Sequence, residues 1–415
     1  METLYSVSCG LDVHKRSVTA CLRQQSGAGG RVVEECRDFL TTTAGLETLG
    51  DWLTQHGCTA AAMESTGVYW KPVYNLLEER VPVLLLVNAQ HIKQVPGRKT
   101  DMTDAQWIAR LLQAGLLAAS FVPTAEIRDA RDLTRYRKVL IRQRADECNR
   151  IQKLLETCNI KLACVATDIL GASGRRMLGR IAGGESDPEV LAELALGRLR
   201  GKIPQLRQAL YGKVRPSQRW LLERQLQQIE HLDQAIAELD AKIDELMRPF
   251  SAVMTRLMTV PGISRRVAQV LIAETGPDMK QFGSAERLAS WAGMCPGNHQ
   301  SGGKRYSGKT RHGSPWLKAA LMEAAWAAGK KKDSYFRAQY QRLARRRGKR
   351  RACVAVGHAL LKVAYVLMAD PNREYTDLGE AYFDRRDKDR LIRHHIRRLR
   401  ELGINVPENQ PSEAA

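Results

Sequence analysis

Apolar side chains along the first 125 residues alternate between the two-residue period of strands and the longer period of helices. Three β-rich runs come first, and they are YSVSCGLDVH, SVTACLRQQ and GRVVEECRDF; the short polar links between them predict an antiparallel meander. Helical segments then alternate with the apolar strands CTAAAME and VPVLLLV. Residues 1–125 are therefore predicted to form an α/β domain, a mixed sheet with helices packed on its faces.

A heptad repeat characterises the helical region at residues 126–250. Isoleucine and leucine recur every seven positions at Leu222, Ile229, Ile236 and Ile243, and leucines follow in the d register, which Gln225 interrupts. The pattern is typical of a parallel two-stranded coiled coil, and an antiparallel hairpin with the segment LTRYRKVLIRQRADECNRIQKLLE is an equal alternative. We predict an α-helical coiled-coil domain here, with residues 161–212 inserted between its helices.

Positive charge concentrates in the remainder of the chain, a mainly α-helical region at 251–370 and a basic helical tail at 371–415. The chain has 65 Lys and Arg against 45 Asp and Glu, a net charge of +20. Such a surplus indicates a polyanionic partner, and nucleic acid is the first candidate. The amphipathic tail also fits a membrane surface, but the charge elsewhere favours nucleic acid.

Cysteine usage and hydropathy bear on the compartment. The nine cysteines are scattered and never in C-x-x-C spacing, which argues against a disulfide framework or a zinc site. We find no apolar run of about eighteen residues, the length of a membrane span, and no signal peptide. The chain is therefore expected to be cytoplasmic, with no membrane partner.

Two aspartates, Asp101 and Asp104, lie three residues apart behind a basic loop in GRKTDMTDAQWIARLL. One interpretation is helix capping, with Thr100 or Asp101 as the N-cap and Asp104 in the first turn. The other is that residues at i and i+3 share a helix face, so both carboxylates reach one divalent cation.

Two further acids end predicted strands. Asp12 closes the first strand in GLDVHK, and Glu64 closes an apolar strand in AAMESTGVYW. If those strands are neighbours, the helix with Asp101 and Asp104 need only pack across the same edge to bring four carboxylates together. Such a cluster repels itself unless cations neutralise it, and oxygen ligands of this kind suit Mg²⁺ or Mn²⁺.

The C-terminal half contains two phosphate-binding candidates. The segment LMTVPGISRRVAQVLIAETG has the form of a helix-hairpin-helix, with Gly262 at its turn. A glycine-rich basic loop follows, in which close backbone approach and cationic side chains suit a phosphate. The predicted nucleic-acid-binding residues are Gly262, Gly302, Gly303, Lys304, Arg305, Lys309, Arg311, Arg345, Arg346 and Arg347.

Three segments resemble, in this order, the D, E, D and D motifs of DEDD-type insertion-sequence transposases of family one-ten, which includes the Piv-type DNA invertases. The segments are GLDVHK, MESTGVYW and KTDMTDA. The C-terminal half is similar to the same family. The resemblance implies a RuvC-like, ribonuclease-H-like N-terminal domain on which Asp12, Glu64, Asp101 and Asp104 are catalytic and bind Mg²⁺ or Mn²⁺. It also implies a C-terminal serine transposase domain and a bacterial, nucleoid-associated protein.

Within the glycine-rich loop the resemblance points to Ser301 as a nucleophile that forms a phosphoserine link to DNA. Serine needs activation, for which His299 and the metal site are alternatives, and Ser307 is a competing nucleophile. Lys304 and Arg311 are candidates to stabilise charge on the transferring phosphate.

The resemblance further implies donor and target DNA, a noncoding bridge RNA that supplies sequence specificity, and a homo-oligomer, a dimer or a tetramer on DNA. One subunit's carboxylates would then meet Ser301 of another. Two other functions stay open, a RuvC-type structure-specific nuclease that uses metal-activated water and a non-catalytic nucleic-acid-binding scaffold.

Overall fold

The computed structural model describes residues 4–25, 30–65, 67–89, 92, 103–297, 299–386 and 388–404. The chain forms two compact units, Met1–Ala125 and Glu126–Ala415. The boundaries predicted at residues 250 and 370 fall inside the second unit.

The first unit is built on a five-stranded mixed sheet. Its strands are β1 Val7–Val13, β2 Ser17–Gln25, β3 Val32–Leu40, β4 Ala60–Glu64 and β5 Val83–Val87. Their order across the sheet is β3-β2-β1-β4-β5. The first three strands form the antiparallel meander that their sequence predicts, and β1, β4 and β5 run parallel to one another.

Helices cover both faces of this sheet. On one face, α1 (Thr43–Gln55) and α2 (Trp70–Leu77) pack on a core that includes Leu11 and Met63. On the other face, α3 (Asp104–Gln113) packs through its apolar side against β4 and β5. A mixed sheet with helices on both faces is the arrangement predicted for residues 1–125.

Helices dominate the first half of the second unit. They are α4 Ala125–Thr157, α5 Leu162–Val165, α6 Ala172–Ala182, α7 Pro188–Glu193, α8 Ile203–Leu210 and α9 Pro216–Leu246, with a 3₁₀ turn at Gly197–Lys202.

The two long helices α4 and α9 pair within the chain and run antiparallel. Arg137 of α4 binds Asp240 near the end of α9, whereas Ile151 and Leu155, further along α4, share a core with Leu222 near the start of α9. Of the two arrangements left open by the heptads, this is the antiparallel one. The heptad positions Leu222, Ile229, Ile236 and Ile243 are all buried in it.

The segment predicted as an insertion, residues 161–212, folds onto one end of this helical pair. Its helices α5 to α8 contribute Leu162, Met177, Leu191 and Leu206 to the core that contains Leu222. The insertion is therefore an integral part of the second unit.

The rest of the second unit consists of eight helices and one short hairpin among the described residues. The helices are α10 Ser251–Met258, α11 Arg265–Thr275, α12 Ala285–Trp291, α13 Pro315–Ala328, α14 Tyr335–Arg347, α15 Lys349–Ala369, α16 Tyr382–Arg386 and α17 Lys388–Glu401. The hairpin strands are β6 His299–Ser301 and β7 Lys304–Ser307, and 3₁₀ turns lie at Arg248–Phe250 and Lys280–Phe282.

Helix α15 contradicts the prediction that the chain has no apolar run as long as a membrane span. Residues 352–369 contain a single charged residue, Lys362, so α15 is long and apolar enough to cross a membrane. Half of this window is buried inside the fold, where Val356, Leu360 and Ala364 contribute to the core, as in a central helix of a soluble protein. The nine cysteines are all free thiols in this structure.

Candidate active site

The carboxyl ends of β1 and β4 lie side by side and present two acids on one face. Leu11 pairs with Met63 in the parallel register, so Asp12 and Glu64 follow at the same level. Neighbouring strands are about 5 Å apart. Leu11 and Met63 face the core under α1 and α2, and because side chains alternate along a strand, Asp12 and Glu64 belong to the opposite face.

Helix α3 brings its first turn to the same corner. It crosses Gly10 closely, since a Cβ atom on Gly10 would lie 2.1 Å from the carbonyl oxygen of Ala105. At the other end of α3, the Gln113 carbonyl accepts a hydrogen bond from the Leu4 amide at 2.9 Å. The helix therefore runs antiparallel to β1, and its amino end, with Asp104, points towards the strand end that carries Asp12.

The start of α3 differs from the prediction. Thr103 is the N-cap, and its side chain forms a reciprocal capping box with Gln106, so the predicted caps Thr100 and Asp101 are wrong. Asp104 occupies the first turn, as expected for a carboxylate near the positive end of the helix dipole. Asp101 lies outside the described residues and precedes the helix, so the argument that both aspartates share a face of α3 loses its basis.

Three of the four predicted acids thus come from elements that meet at one corner of the sheet. These acids are Asp12, Glu64 and Asp104. Within the described ranges, however, no three Asp, Glu, His or Cys side chains come together as a group that would hold a metal ion. The donor chemistry fits Mg²⁺ or Mn²⁺, and the predicted four-carboxylate site stays a prediction because its fourth member is Asp101.

Asp12 has polar neighbours that the sequence analysis did not single out. His14 Nε2 lies 3.3 Å from an Asp12 carboxylate oxygen. On the adjacent strand Thr19 is opposite Asp12, and its hydroxyl donates to Asp38 on β3 at 2.6 Å. Asp12, Thr19 and Asp38 thus form a polar row across three strands. The sequence feature that indicates His14 is its position two residues after Asp12 in the motif GLDVHK.

Ser301 lies at the tip of the β6–β7 hairpin in the second unit. It pairs with Lys304, and the two residues between them, Gly302 and Gly303, have φ of +54° and +75°. A two-residue turn with two positive φ angles is favourable only with glycine at both positions or with Asn or Asp at the first. The glycines of SGGK are therefore explained by the turn, which leaves Ser301 exposed at its edge.

Residues 294–313, which contain this hairpin, are called the finger. Backbone contacts hold the two ends of the finger together. The Gly297 amide donates to the Lys309 carbonyl at 2.7 Å. Gly293 and Gly313 approach so closely that a Cβ on Gly293 would lie 2.9 Å from the Gly313 nitrogen. The competing nucleophile Ser307 is used locally, since its hydroxyl accepts the Lys309 amide at 3.2 Å.

Cationic side chains surround the finger. Lys304, Lys309 and Arg311 are exposed, and their contact with phosphate stays a prediction. The backbones of His299 and Arg305 pair with Ser307 and Gln300, and the side chains of His299 and Arg305 lie outside the described structure. Activation of Ser301 by His299 therefore stays a prediction.

A buried acid that the sequence analysis missed anchors the helix that follows the finger. Glu274 of α11 is 1% exposed and accepts two hydrogen bonds from Arg135 at 2.7 and 2.8 Å. It also accepts from the Ser314 hydroxyl, the N-cap of α13, at 2.9 Å. Burial lowers the pKa of the neighbouring Arg131 to about 10, so this guanidinium still carries its charge at neutral pH. The network joins α4, α11 and α13 at the root of the finger.

The predicted helix-hairpin-helix has the expected shape, with the Pro261–Gly262 turn between α10 and α11. Gly262 has φ of +89°, and a Cβ there would lie 2.2 Å from the carbonyl oxygen of Ala324. Close packing on α13 thus explains this glycine, and its contact with phosphate stays a prediction. Arg345, Arg346 and Arg347 form the exposed last turn of α14.

Comparison with known proteins identifies relatives of both halves. A family model of transposases, the DEDD type of IS110, matches residues 9–160, and the model of the transposase IS116/IS110/IS902 family matches residues 254–341. The first match includes Asp12, Glu64, Asp101 and Asp104, and the second includes Ser301.

Several curated proteins are similar over large parts of the chain. The transposase for insertion sequence element IS1111A of Coxiella burnetii is 26% identical over 292 residues, which are 68% of this chain and 70% of that protein. A putative transposase of Sinorhizobium fredii, y4pF/y4sB, is 26% identical over 289 residues, 68% of this chain and 64% of its own length. The pilin gene-inverting protein of Moraxella bovis is 29% identical over 146 residues, 34% of this chain and 45% of its own length.

The matches fall on the two regions that contain the predicted acids and the predicted serine, and they agree with the family expected from the motifs. The mixed sheet with helices on both faces fits the RuvC-like α/β domain of DEDD transposases. The chain belongs to the IS116/IS110/IS902 family of transposases and is a DNA transposase or recombinase.

Proposed function

We propose that this transposase cuts and rejoins DNA strands with a carboxylate site on the first unit and a serine nucleophile on the second. The observation that supports the proposal is that β1 and β4 end side by side while the amino end of α3 lies against β1, and that Asp12, Glu64 and Asp104 belong to these three elements. These residues and Asp101 would hold Mg²⁺ or Mn²⁺. A cation bound there supplies electrostatic stabilisation of charge on the phosphate.

The corner suits a phosphodiester for a second reason. The amino end of α3 faces it, and the unpaired backbone N–H groups of a first helical turn favour negative charge. The Nε2 atom of His14, 3.3 Å from the Asp12 carboxylate, is a further polar group at this corner. Carboxylates alone would repel DNA, so cations and the amino end of α3 together make an anionic substrate acceptable.

Ser301 is proposed to exchange one phosphodiester for another. Its Oγ attacks phosphorus, the bond from phosphorus to the adjoining sugar oxygen breaks, and the released sugar hydroxyl takes the serine proton. A hydroxyl of a second strand then reverses the exchange and frees the serine. Bond types are conserved throughout, so no external energy source is needed. Exposed Lys304 and Arg311 are proposed to stabilise the charge that develops on the phosphate.

The carboxylates and Ser301 lie in different units of the chain, residues 1–125 and 126–415. We propose that active species are homo-oligomers, a dimer or a tetramer on DNA, in which the carboxylates of one subunit act with Ser301 of another. Mixing two inactive variants, Asp104→Asn and Ser301→Ala, tests this directly. Restored recombination supports sharing of sites, and an inactive mixture that still forms mixed oligomers contradicts it.

We further propose that a noncoding bridge RNA guides the protein to donor and target DNA. The net charge of +20 supports a polyanionic partner of this kind. Sequencing of the RNA that copurifies with the protein tests this. A discrete RNA encoded beside the gene is expected, and a random sample of cellular RNA would contradict the proposal.

A recombination assay on a plasmid with donor and target sites separates the candidate functions. In the proposed function, Ser301→Ala and Asp104→Asn both abolish joined products. A nuclease that uses metal-activated water would tolerate Ser301→Ala, and a binding scaffold would tolerate both substitutions.

A further inference from the structure

A groove of about 860 Å³ lies between α14 and the basic tail of the chain. One wall is a face of α14 with Arg342 and Arg345, and the other is a face of α17 with Arg390, Arg393 and Arg397. On each helix these residues recur at three- and four-residue spacing, which places them on one side. Apart from Ala338 and Gln341, the residues that line this groove lie beyond the segment that matches the transposase family, residues 254–341.

Charge in the groove is strongly unbalanced. Two acids, Glu380 and Asp384, line it together with the five arginines. Glu380 is already compensated from outside the lining, because Arg337 lies 3.8 Å from its carboxylate. Within the described part of the chain, Arg345, Arg390 and Arg393 are exposed and form no ion pair of their own. Exposed cations that line a concave surface focus positive potential and attract a polyanion.

An aromatic group gives the groove a second recognition element. The Arg342 guanidinium lies 5.2 Å from the ring centre of Phe383, and Phe383 stacks on Tyr335 with 5.1 Å between ring centres. The ring holds the planar guanidinium in place, and guanidinium planes and aromatic faces are the surfaces on which unpaired bases stack. Bases in a duplex are already stacked on one another, so this element favours a single strand.

We propose that the groove between α14 and α17 binds a single-stranded segment of nucleic acid, with the arginines on its phosphates and a base against Arg342 and Phe383. This deepens the proposed function by naming a partner class for the tail. The shared chemistry is that of unpaired DNA and unpaired RNA. Binding is measured without catalysis, so the result is independent of Ser301 and of the carboxylates.

The test uses the full chain and fluorescence anisotropy with labelled 12-nucleotide single-stranded DNA, single-stranded RNA and a duplex of the same length. The double variant Arg345→Gln with Arg393→Gln removes one cation from each wall. The matched control, Arg350→Gln with Arg398→Gln, removes the same charge from the start of α15 and from α17, at exposed positions outside the groove lining. Circular dichroism establishes that all variants are equally folded.

The groove variant is expected to bind single strands at least about tenfold more weakly than the control. Its slope of log affinity against log salt should decrease by about 1.4, since each lost phosphate contact on a single strand contributes about 0.7. Phe383→Leu should weaken single strands and leave the duplex unchanged. If the groove variant loses more affinity for single-stranded RNA than for single-stranded DNA, or the reverse, the more strongly affected nucleic acid is identified as the natural ligand. Equal losses in groove and control variants, or equal losses for single strands and duplex, would overturn the proposal.

Discussion

Gly10 of β1 lies against the backbone of Ala105 in α3, so closely that a methyl group on Gly10 would be 2.1 Å from the Ala105 carbonyl oxygen. This contact fixes where the first turn of α3 lies on the sheet. It therefore fixes Asp104 relative to Asp12 and Glu64, and it makes a glycine without any reactive group part of the geometry of the acidic corner.

Gly10→Ala should consequently push α3 off the sheet. The overlap is with backbone, which cannot move aside as a flexible side chain does, so we expect a loss of about 1–3 kcal/mol in the free energy of unfolding and a loss of recombination. Urea denaturation checks the first value. Gly179→Ala is the control, because a Cβ on Gly179 meets nothing within 4 Å; it should keep or raise stability. Full activity in Gly10→Ala would show that the position of α3 is unimportant.

The carboxylates should be needed for chemistry and dispensable for folding. Asp12→Asn, Glu64→Gln and Asp104→Asn are each expected to reduce strand cleavage by more than the roughly 100-fold seen when an outer-shell group of a metal site is lost. Asp51→Asn is the control, since Asp51 is an exposed acid on α1 paired with Arg80 at 2.7 Å. Cleavage rates in Mg²⁺ and melting curves are measured together. If one of the three variants cleaves DNA at the same rate as Asp51→Asn, the residue substituted in that variant is not part of the site.

Glu274 should contribute more to stability than any exposed ion pair. Glu274→Gln leaves the charges of Arg131 and Arg135 without their buried partner, and breaking a buried pair in this way costs about 3–5 kcal/mol. Glu323→Gln, which removes an exposed pair with Lys138, should cost less than about 1 kcal/mol. Chemical denaturation compares the two variants. Equal costs would mean that the network around Glu274 does not anchor the helix after the finger.

Gln225 offers a stabilising substitution. It occupies a d position of the heptad repeat in α9 and is 9% exposed, next to the apolar stripe that includes Leu222 and Ile229. Gln225→Leu completes the stripe and should raise the free energy of unfolding by about 1 kcal/mol, the transfer gain of one or two buried methylene groups. Gln234→Leu, on the exposed side of the same helix, should have no such effect. A lower denaturation midpoint for Gln225→Leu would indicate that the amide is bound in the native helical pair.

The sequence predicted the sheet of the first unit because its strands differ clearly in pattern from its helices. The strand-end positions of Asp12 and Glu64 followed from the same pattern. The cap of α3 was misplaced because Thr100, Asp101 and Thr103 all have side chains that cap helices, and TDAQ, with its glutamine three residues after threonine, was the better signal.

Other features depend on contacts between distant segments, which a single sequence does not reveal. The antiparallel pairing of α4 with α9 requires a choice of partner that the heptads leave open. Glu274 looks like an ordinary helical acid until α4 supplies Arg135 and α13 supplies Ser314. The groove at the tail likewise requires two helices more than forty residues apart to face each other, and neither helix alone predicts it.

The most direct test of the account is to trap and map a covalent link between protein and DNA. Wild-type protein is incubated with end-labelled donor DNA and Mg²⁺, denatured, and analysed by gel electrophoresis and peptide mass spectrometry. We predict an adduct on Ser301 that disappears in Ser301→Ala and persists in Ser307→Ala. An adduct that survives Ser301→Ala, or recombination at the wild-type rate in that variant, would contradict the proposed mechanism.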